Sequence, residues 1–318
     1  TVASAGGSGI VFTGPGNSFV TLRGTLIGGN GTAIEFGTGY AFLDLVQGSS
    51  ITGTATAPGS DDLLRLTASD NFEDPAYVFD LDSIGTQFVG FERLQGIGAT
   101  SLRLQGTGHF SGLIDLDNFS SGNPLILDNA TLTSDTLIEA GYVTGSGTLS
   151  DVVAFSLSPG IGEGAIGTLN TGNLTVGSLE FDVESATVRD LINVTGTVAL
   201  NTNSTIFVGA VGSLIGSADP FTTVVLTNDG TDAITGSIDD IVEDLPFLNV
   251  SASLTGGDGN DLALIFSTIP LGDPDVANAC SPSPLENNVV AYCSGVINGA
   301  DAEPAVGTDD LRSVTLAW

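Results

Sequence analysis

The sequence predicts an all-β protein whose short strands stack as the coils of a parallel β-solenoid. Three observations carry that expectation. Apolar and polar residues alternate throughout, as in Tyr77-Val78-Phe79-Asp80-Leu81, Leu102-Arg103-Leu104 and Leu179-Glu180-Phe181-Asp182-Val183. A period of two puts one face in and one face out. These segments recur at close intervals, and each is closed by Gly, Asn, Asp or Ser. No Gly-free stretch of helical length repeats apolar residues at helical spacing.

A β-sandwich would share the alternation, but three features favour a solenoid. Turn residues run continuously along the chain. The phenylalanines, from Phe12, Phe19, Phe36 and Phe42 to Phe72, Phe79, Phe88, Phe91 and Phe110, are spread evenly instead of gathered in one core. The repeats are similar without being identical. Coils of about 20–25 residues would divide residues 1–267 into about 11–13 turns, and a strand spacing of about 4.8 Å makes that a rod of about 50–60 Å.

Taken in order, Gly31-Thr32-Ala33-Ile34-Glu35-Phe36-Gly37 leads into Phe42-Leu43-Asp44-Leu45 and Gly48-Ser49-Ser50-Ile51-Thr52-Gly53. Asp61-Asp62-Leu63-Leu64-Arg65-Leu66, Phe79-Asp80-Leu81-Asp82-Ser83-Ile84-Gly85, Phe91-Glu92-Arg93-Leu94 and Ser101-Leu102-Arg103-Leu104-Gln105-Gly106 follow. The second half continues with Gly147-Thr148-Leu149, Ser158-Pro159-Gly160, Ile166-Gly167-Thr168-Leu169 and Asn173-Leu174-Thr175-Val176. It then runs through Asp190-Leu191-Ile192-Asn193-Val194-Thr195-Gly196 and closes on Gly259-Asn260-Asp261-Leu262-Ala263-Leu264. Beyond residue 267 the texture changes. Residues 268–318 hold seven acidic residues, five Pro and both cysteines, and form a separate acidic C-terminal segment.

This order of motifs, over about residues 5–267, resembles the last coils of an autotransporter passenger, the secreted parallel β-helix of Gram-negative bacteria. The resemblance implies a right-handed parallel β-solenoid that is extracellular or held at the cell surface. It names an architecture, a secretion route and a location, and no ligand. A passenger of this family is followed by a helix and a membrane-embedded β-barrel, and residues 268–318 contain neither.

Composition excludes several function classes. Of 318 residues, 37 are Asp or Glu and 6 are Lys or Arg, for a formal charge of −31. All the basic residues are arginines, at 23, 65, 93, 103, 189 and 312. Nucleic acid is excluded as a partner, because phosphate backbones require clustered cations, and anionic membrane surfaces are excluded on the same ground. No apolar run reaches the roughly 18–20 residues of a membrane span. Divalent cations, cationic partners and uncharged glycans remain. In an exported protein the pair Cys280 and Cys293 reads as one local disulfide. Zinc, which takes about four ligands, is not supported, since neither cysteine has a neighbouring His.

The candidate sites each carry a competing structural reading. Gly256-Gly257-Asp258-Gly259-Asn260-Asp261-Leu262 fits the calcium-binding nonapeptide pattern, with Asp258, Asn260 and Asp261 as oxygen ligands. Such sites share each ion between consecutive repeats and only one repeat is present, so a hairpin-like turn competes. Asp61-Asp62, Asp239-Asp240 and Asp309-Asp310 are paired carboxylates suited to acid/base work, or charges at solvated coil corners. A carboxylate cluster beside an Arg on a lateral groove would favour a polysaccharide-cleaving enzyme. His109 lacks a nucleophile motif and reads as a surface or turn residue. The phenylalanines read as stacks inside the coils. The sequons at Asn129, Asn173, Asn193 and Asn249 carry no weight in a chain this rich in Asn, Ser and Thr.

The expected function is therefore non-catalytic, with no cofactor beyond that calcium. The chain is expected to be a stiff surface rod that self-associates into a fibre or layer through its ends and C-terminal segment. The alternative is a monomeric adhesin passenger that binds a host or abiotic surface.

Overall fold

The structure, a computed structural model, describes residues 1–4, 6–162, 164–214, 219–229, 232–243, 245 and 248–269, and the backbone of 280–281 and 292–293. Among these residues there is no α-helix, only the 3-10 turns Leu81–Ser83 and Gly212–Leu214. The strands form a 5-stranded sheet and a 19-stranded sheet. Pairing is parallel through most of both, between segments one repeat apart. Gln95 meets Asp115, 20 positions on. Asn170 meets Asn193, 23 positions on, and Arg103 meets Asp128, 25 positions on.

Three ladders run through the large sheet. The first begins with Ser18–Leu22, Ala41–Val46, Leu63–Thr67 and Arg93–Ile97. It stacks Val20, Leu43, Leu64, Leu94, Ile114, Ile138, Val152, Leu174 and Val198 in register. The second stacks Tyr77, Leu102, Leu125, Val143, Leu157, Leu179, Ile206 and Ile241. The third stacks Ala130, Gly147, Leu169, Ile192 and Leu226. Long strands join them. Ile138–Leu149 pairs in the first ladder at Ile138, in the second at Val143 and in the third at Gly147.

The ladder interiors merge into one continuous apolar core. Each fully buried Leu or Ile contributes about 1.5–3 kcal/mol relative to exposure, so a stack is stabilised in increments along its length. The alternation read from the sequence is the cause. In Leu102–Gln105 the two leucines are buried while Arg103 and Gln105 face outward. Most of the phenylalanine series lies inside, with Phe36, Phe79, Phe88, Phe91 and Phe110 buried. Phe19 and Phe72 instead lie outside, 64% and 74% exposed. Phe19 is on the outward period of its strand, and Phe72 sits in the loop that joins Leu63–Thr67 to Tyr77–Asp80.

Parallel pairing does not extend to residue 267. Leu248–Gly256 and Asp261–Thr268 form an antiparallel hairpin. Its second strand also lies antiparallel to Phe221–Asn228, with Phe266 stacked on Phe221 at 4.3 Å between ring centroids. The short turn between the two strands forces this reversal, because a parallel neighbour requires a longer crossover. Further on, the backbone pairs Cys280–Ser281 antiparallel with Tyr292–Cys293, and Cys280 lies directly across from Cys293. The side chains of those residues lie outside the described part.

Candidate functional site

A strand that begins a new rung exposes an N–H before the ladder can satisfy it, and a buried unpaired N–H is costly. Acidic and amide side chains from an adjacent repeat supply the acceptor. Asp62 takes the N–H of Ala41 at 2.6 Å, where Ala41–Val46 begins. Asp82 takes that of Thr107 at 2.7 Å, and Asp190 that of Gly167 at 2.7 Å, just before Thr168–Thr171. Asp151 takes that of Asn173 at 2.8 Å, and Asn173 in turn takes that of Thr197 at 2.9 Å. Four carboxylates and one amide thus join repeats through backbone N–H groups.

Asp62 and Asp190 are fully buried. Burial pushes the Asp62 carboxyl up, against the N–H groups of Ala41 and Gly59 that favour its anion. Burial also pushes Asp190 up, to about 7, against the N–H groups of Asp182 and Gly167 and with the Asp182 charge adding to the rise.

The outer face of the first ladder carries a polar column in register: Thr21, Asp44, Arg65, Gln95, Asp115 and Glu139. Asp44 is buried, and burial raises its pKa. Hydrogen bonds from Arg65 at 2.8 Å and Thr67 at 2.6 Å outweigh that and hold it below the usual carboxylate value. The Arg65 guanidinium lies over the Phe42 ring at 4.6 Å. Lower on the column Asp117 shares a hydrogen bond with Asp115, which raises its pKa, with burial and the charges of Asp115 and Glu139 adding to the effect. Arg65 is committed to Asp44, and Gln95 stands between it and the Asp115 group.

The outer face of the third ladder differs in chemistry. Its column reads Thr107, Thr131, Thr148, Asn170, Asn193 and Thr227. At one end the side chains bind each other: Asn193 donates to Asn170 at 3.0 Å, and Thr227 donates to Asn193 at 2.8 Å. At the other, a shallow groove of about 450 Å³ opens over Thr131, Thr148 and Thr168, bounded by Asn129 and Ile166. No charged residue lines it. Asn129 reaches the rim from a left-handed backbone conformation, φ 54°, at a register shift between Asp128 and Ala130.

The sequence-predicted residues do not converge. Asp61 is exposed, whereas its neighbour Asp62 is a buried brace and not a solvated corner charge. Asp239 and Asp240 are exposed on Ile238–Glu243, and Asp309-Asp310 lies outside the described residues. His109 is exposed on the strand Thr107–Phe110, its Nδ1 3.0 Å from Thr133 Oγ1 and its Nε2 3.5 Å from Asp135. Asp258 is exposed in the hairpin turn, where Gly259 donates to the Gly256 carbonyl. Asn260 and Asp261 turn inward, and Asp261 accepts the N–H of Asn228 at 2.9 Å. Among the described residues no group of three or more His, Cys, Asp or Glu could hold a metal ion, and no helix is long and apolar enough to cross a membrane.

Sequence reasoning missed both the braces and the groove. The braces leave a trace: an Asp or Asn about one repeat away from a strand start. The groove leaves none, because it depends on which rungs become neighbours. No family model matches this chain, and no curated protein matches it.

Proposed function

We propose that this chain is a non-catalytic surface rod, a right-handed parallel β-solenoid of the passenger type, that presents its lateral faces to a partner outside the cell. The observation that carries this reading is the unbroken in-register stack from Val20 to Val198 on the first ladder. A stack that grows by one rung per repeat makes an elongated, stiff body. The carboxylates favour a structural role over catalysis, since Asp62, Asp82, Asp151 and Asp190 are engaged by backbone N–H groups. The antiparallel hairpin at the C-terminal side ends the run of parallel pairing there and favours lateral over end-to-end contact. Negative-stain imaging and small-angle scattering test the reading. Uniform elongated particles are expected, and a compact particle overturns it.

The N-terminal side supports a second reading, self-association. Among the described residues, Val2–Ala3, Ile10–Val11 and Ser18–Leu22 each pair on one edge only, and Ile10, Phe12, Val20 and Leu22 are incompletely buried. An unpaired strand edge invites a further strand. Mass by light scattering, in calcium and in chelator and with Val20→Lys, separates the readings. A multimer abolished by the substitution supports association, and a monomer throughout supports the lateral binder.

A disulfide between Cys280 and Cys293 belongs to the same reading. Residues directly opposed in an antiparallel pair have Cα atoms about 4.5–5.5 Å apart, within the span a disulfide bridges.

A further inference from the structure

We infer that the groove on the third ladder is a docking site for an uncharged, hydroxyl-rich polymer, a neutral polysaccharide chain, lying along the ladder axis. The inference rests on the reading of the protein as a lateral binder and names the class of ligand.

Its first support is the state of the polar groups. Elsewhere on this face several hydroxyls are committed: Thr133 to His109 and to the Gly108 carbonyl, Thr195 to the Thr171 carbonyl, Thr227 to Asn193. Within the groove, the side chains of Thr131, Thr148, Thr168 and Asn129 make no hydrogen bond among the described residues. Three hydroxyls and an amide, each able to donate and to accept, therefore converge on one concavity with their bonding capacity unspent.

The second support is charge. The chain carries −31, and a surface of that sign repels polyanions. The groove lining holds no carboxylate and no guanidinium. A cation would find no counter-charge there and a polyanion would be repelled from a distance. A neutral polyol pays neither cost.

The third is shape. Thr131 and Thr148 are register partners on adjacent rungs, which repeat about 4.8 Å apart. A chain molecule laid along the ladder meets a hydroxyl at Thr131, another at Thr148 and then the Asn170 amide on the next rung. Ile166, 39% exposed, stands at the lip. It offers an apolar contact to the C–H face of a sugar ring, while the floor takes the hydroxyls. Sites that recognise small neutral molecules combine apolar walls with a few placed polar groups in this way.

The test is binding by the full chain to three probes: a fluorescently labelled β-1,4-linked glucan oligosaccharide, a dextran and polygalacturonate. The variants are Thr131→Val and Thr148→Val, singly and together. Both keep the branched shape that suits a strand and remove only the hydroxyl. Thr175→Val, on the outer face of the first ladder, is the control, and thermal unfolding verifies that each variant folds. The expected result is binding to at least one neutral probe, weakened tenfold or more by the double variant and unchanged by the control. The inference is overturned if neither neutral probe binds at millimolar concentration, if the double variant binds as well as the parent, or if polygalacturonate binds as tightly as the neutral chains. Imaging the same samples keeps the outcomes apart: rods that do not bind glucan sink the groove alone, and compact particles sink the rod.

Discussion

The Asp190 carboxylate reaches back 23 positions to take the backbone N–H of Gly167 at 2.7 Å. Its second oxygen takes the N–H of Asp182, also at 2.7 Å. One buried side chain thus fixes the entry of Thr168–Thr171 and the end of Leu174–Val183 at once. Asp190→Asn puts an amide N–H where an acceptor is required. Leaving a buried donor unpaired costs about 1–3 kcal/mol, so the variant should unfold at lower denaturant with an unchanged slope, as followed by circular dichroism.

The same residue sets a pH dependence. Its folded pKa is raised to about 7, above the unfolded value of about 3.9. The folded state therefore holds this proton more tightly than the unfolded state does. The stabilisation is fully present below the unfolded pKa and declines as pH rises through 7, after which it is level. Denaturation between pH 5 and pH 8 should show stability falling with pH, and the Asp190→Ala variant should lose part of that slope. Asp44 works in the opposite sense. Its folded pKa is depressed, so its contribution is lost only under acid, as pH falls through that lowered value.

Breaking the Asp44–Arg65 pair should cost more than a surface ion pair does. Arg65→Met leaves Asp44, 3% exposed, without its counter-charge and removes the guanidinium from the Phe42 ring. A loss of about 2–4 kcal/mol is expected, since stranding a buried charge is the expensive half of such a change. Asp44→Asn combined with Arg65→Met should recover part of it, and a double-mutant cycle reads the coupling.

The amide ladder predicts a smaller effect. Asn193→Ala removes the bonds to Asn170 and Thr227 on a half-exposed face. Thermal unfolding should shift by the equivalent of about 1 kcal/mol for each bond lost. A null result would assign that face no structural role.

Gly145 is a sharper probe of the second ladder. It adopts φ 110°, a conformation reserved for glycine, and a Cβ added there would run into the Leu127 carbonyl oxygen of the neighbouring rung. Gly145→Ala should cost more than 2 kcal/mol, because strain and steric overlap add. Its expression and melting temperature check this against Gly122→Ala, where the added methyl meets open space.

What was legible and what was not divides along physical lines. Leu102-Arg103-Leu104 declares its buried and outward faces by alternation alone, and the structure places both leucines in the core. The Gly256–Asp261 segment was legible as a hairpin turn by its glycines, although the same residues also fit a calcium loop. Asp62 was misjudged, because a buried carboxylate and a solvated one have the same sequence context. Only the presence of the Ala41 N–H beside it decides.

The sequence by itself determined that this chain is all-β, that the apolar positions of alternating segments such as Leu102-Arg103-Leu104 face inward, and that its net charge is −31. Those are local properties, set by side-chain period and composition. The tertiary structure decided that Thr131 lies beside Thr148, that Asn170 lies beside Asn193, and that Asp190 reaches Gly167. Register between rungs is fixed by the combined packing of the core and the braces, and a shift of one residue in any rung would turn its inner stack outward.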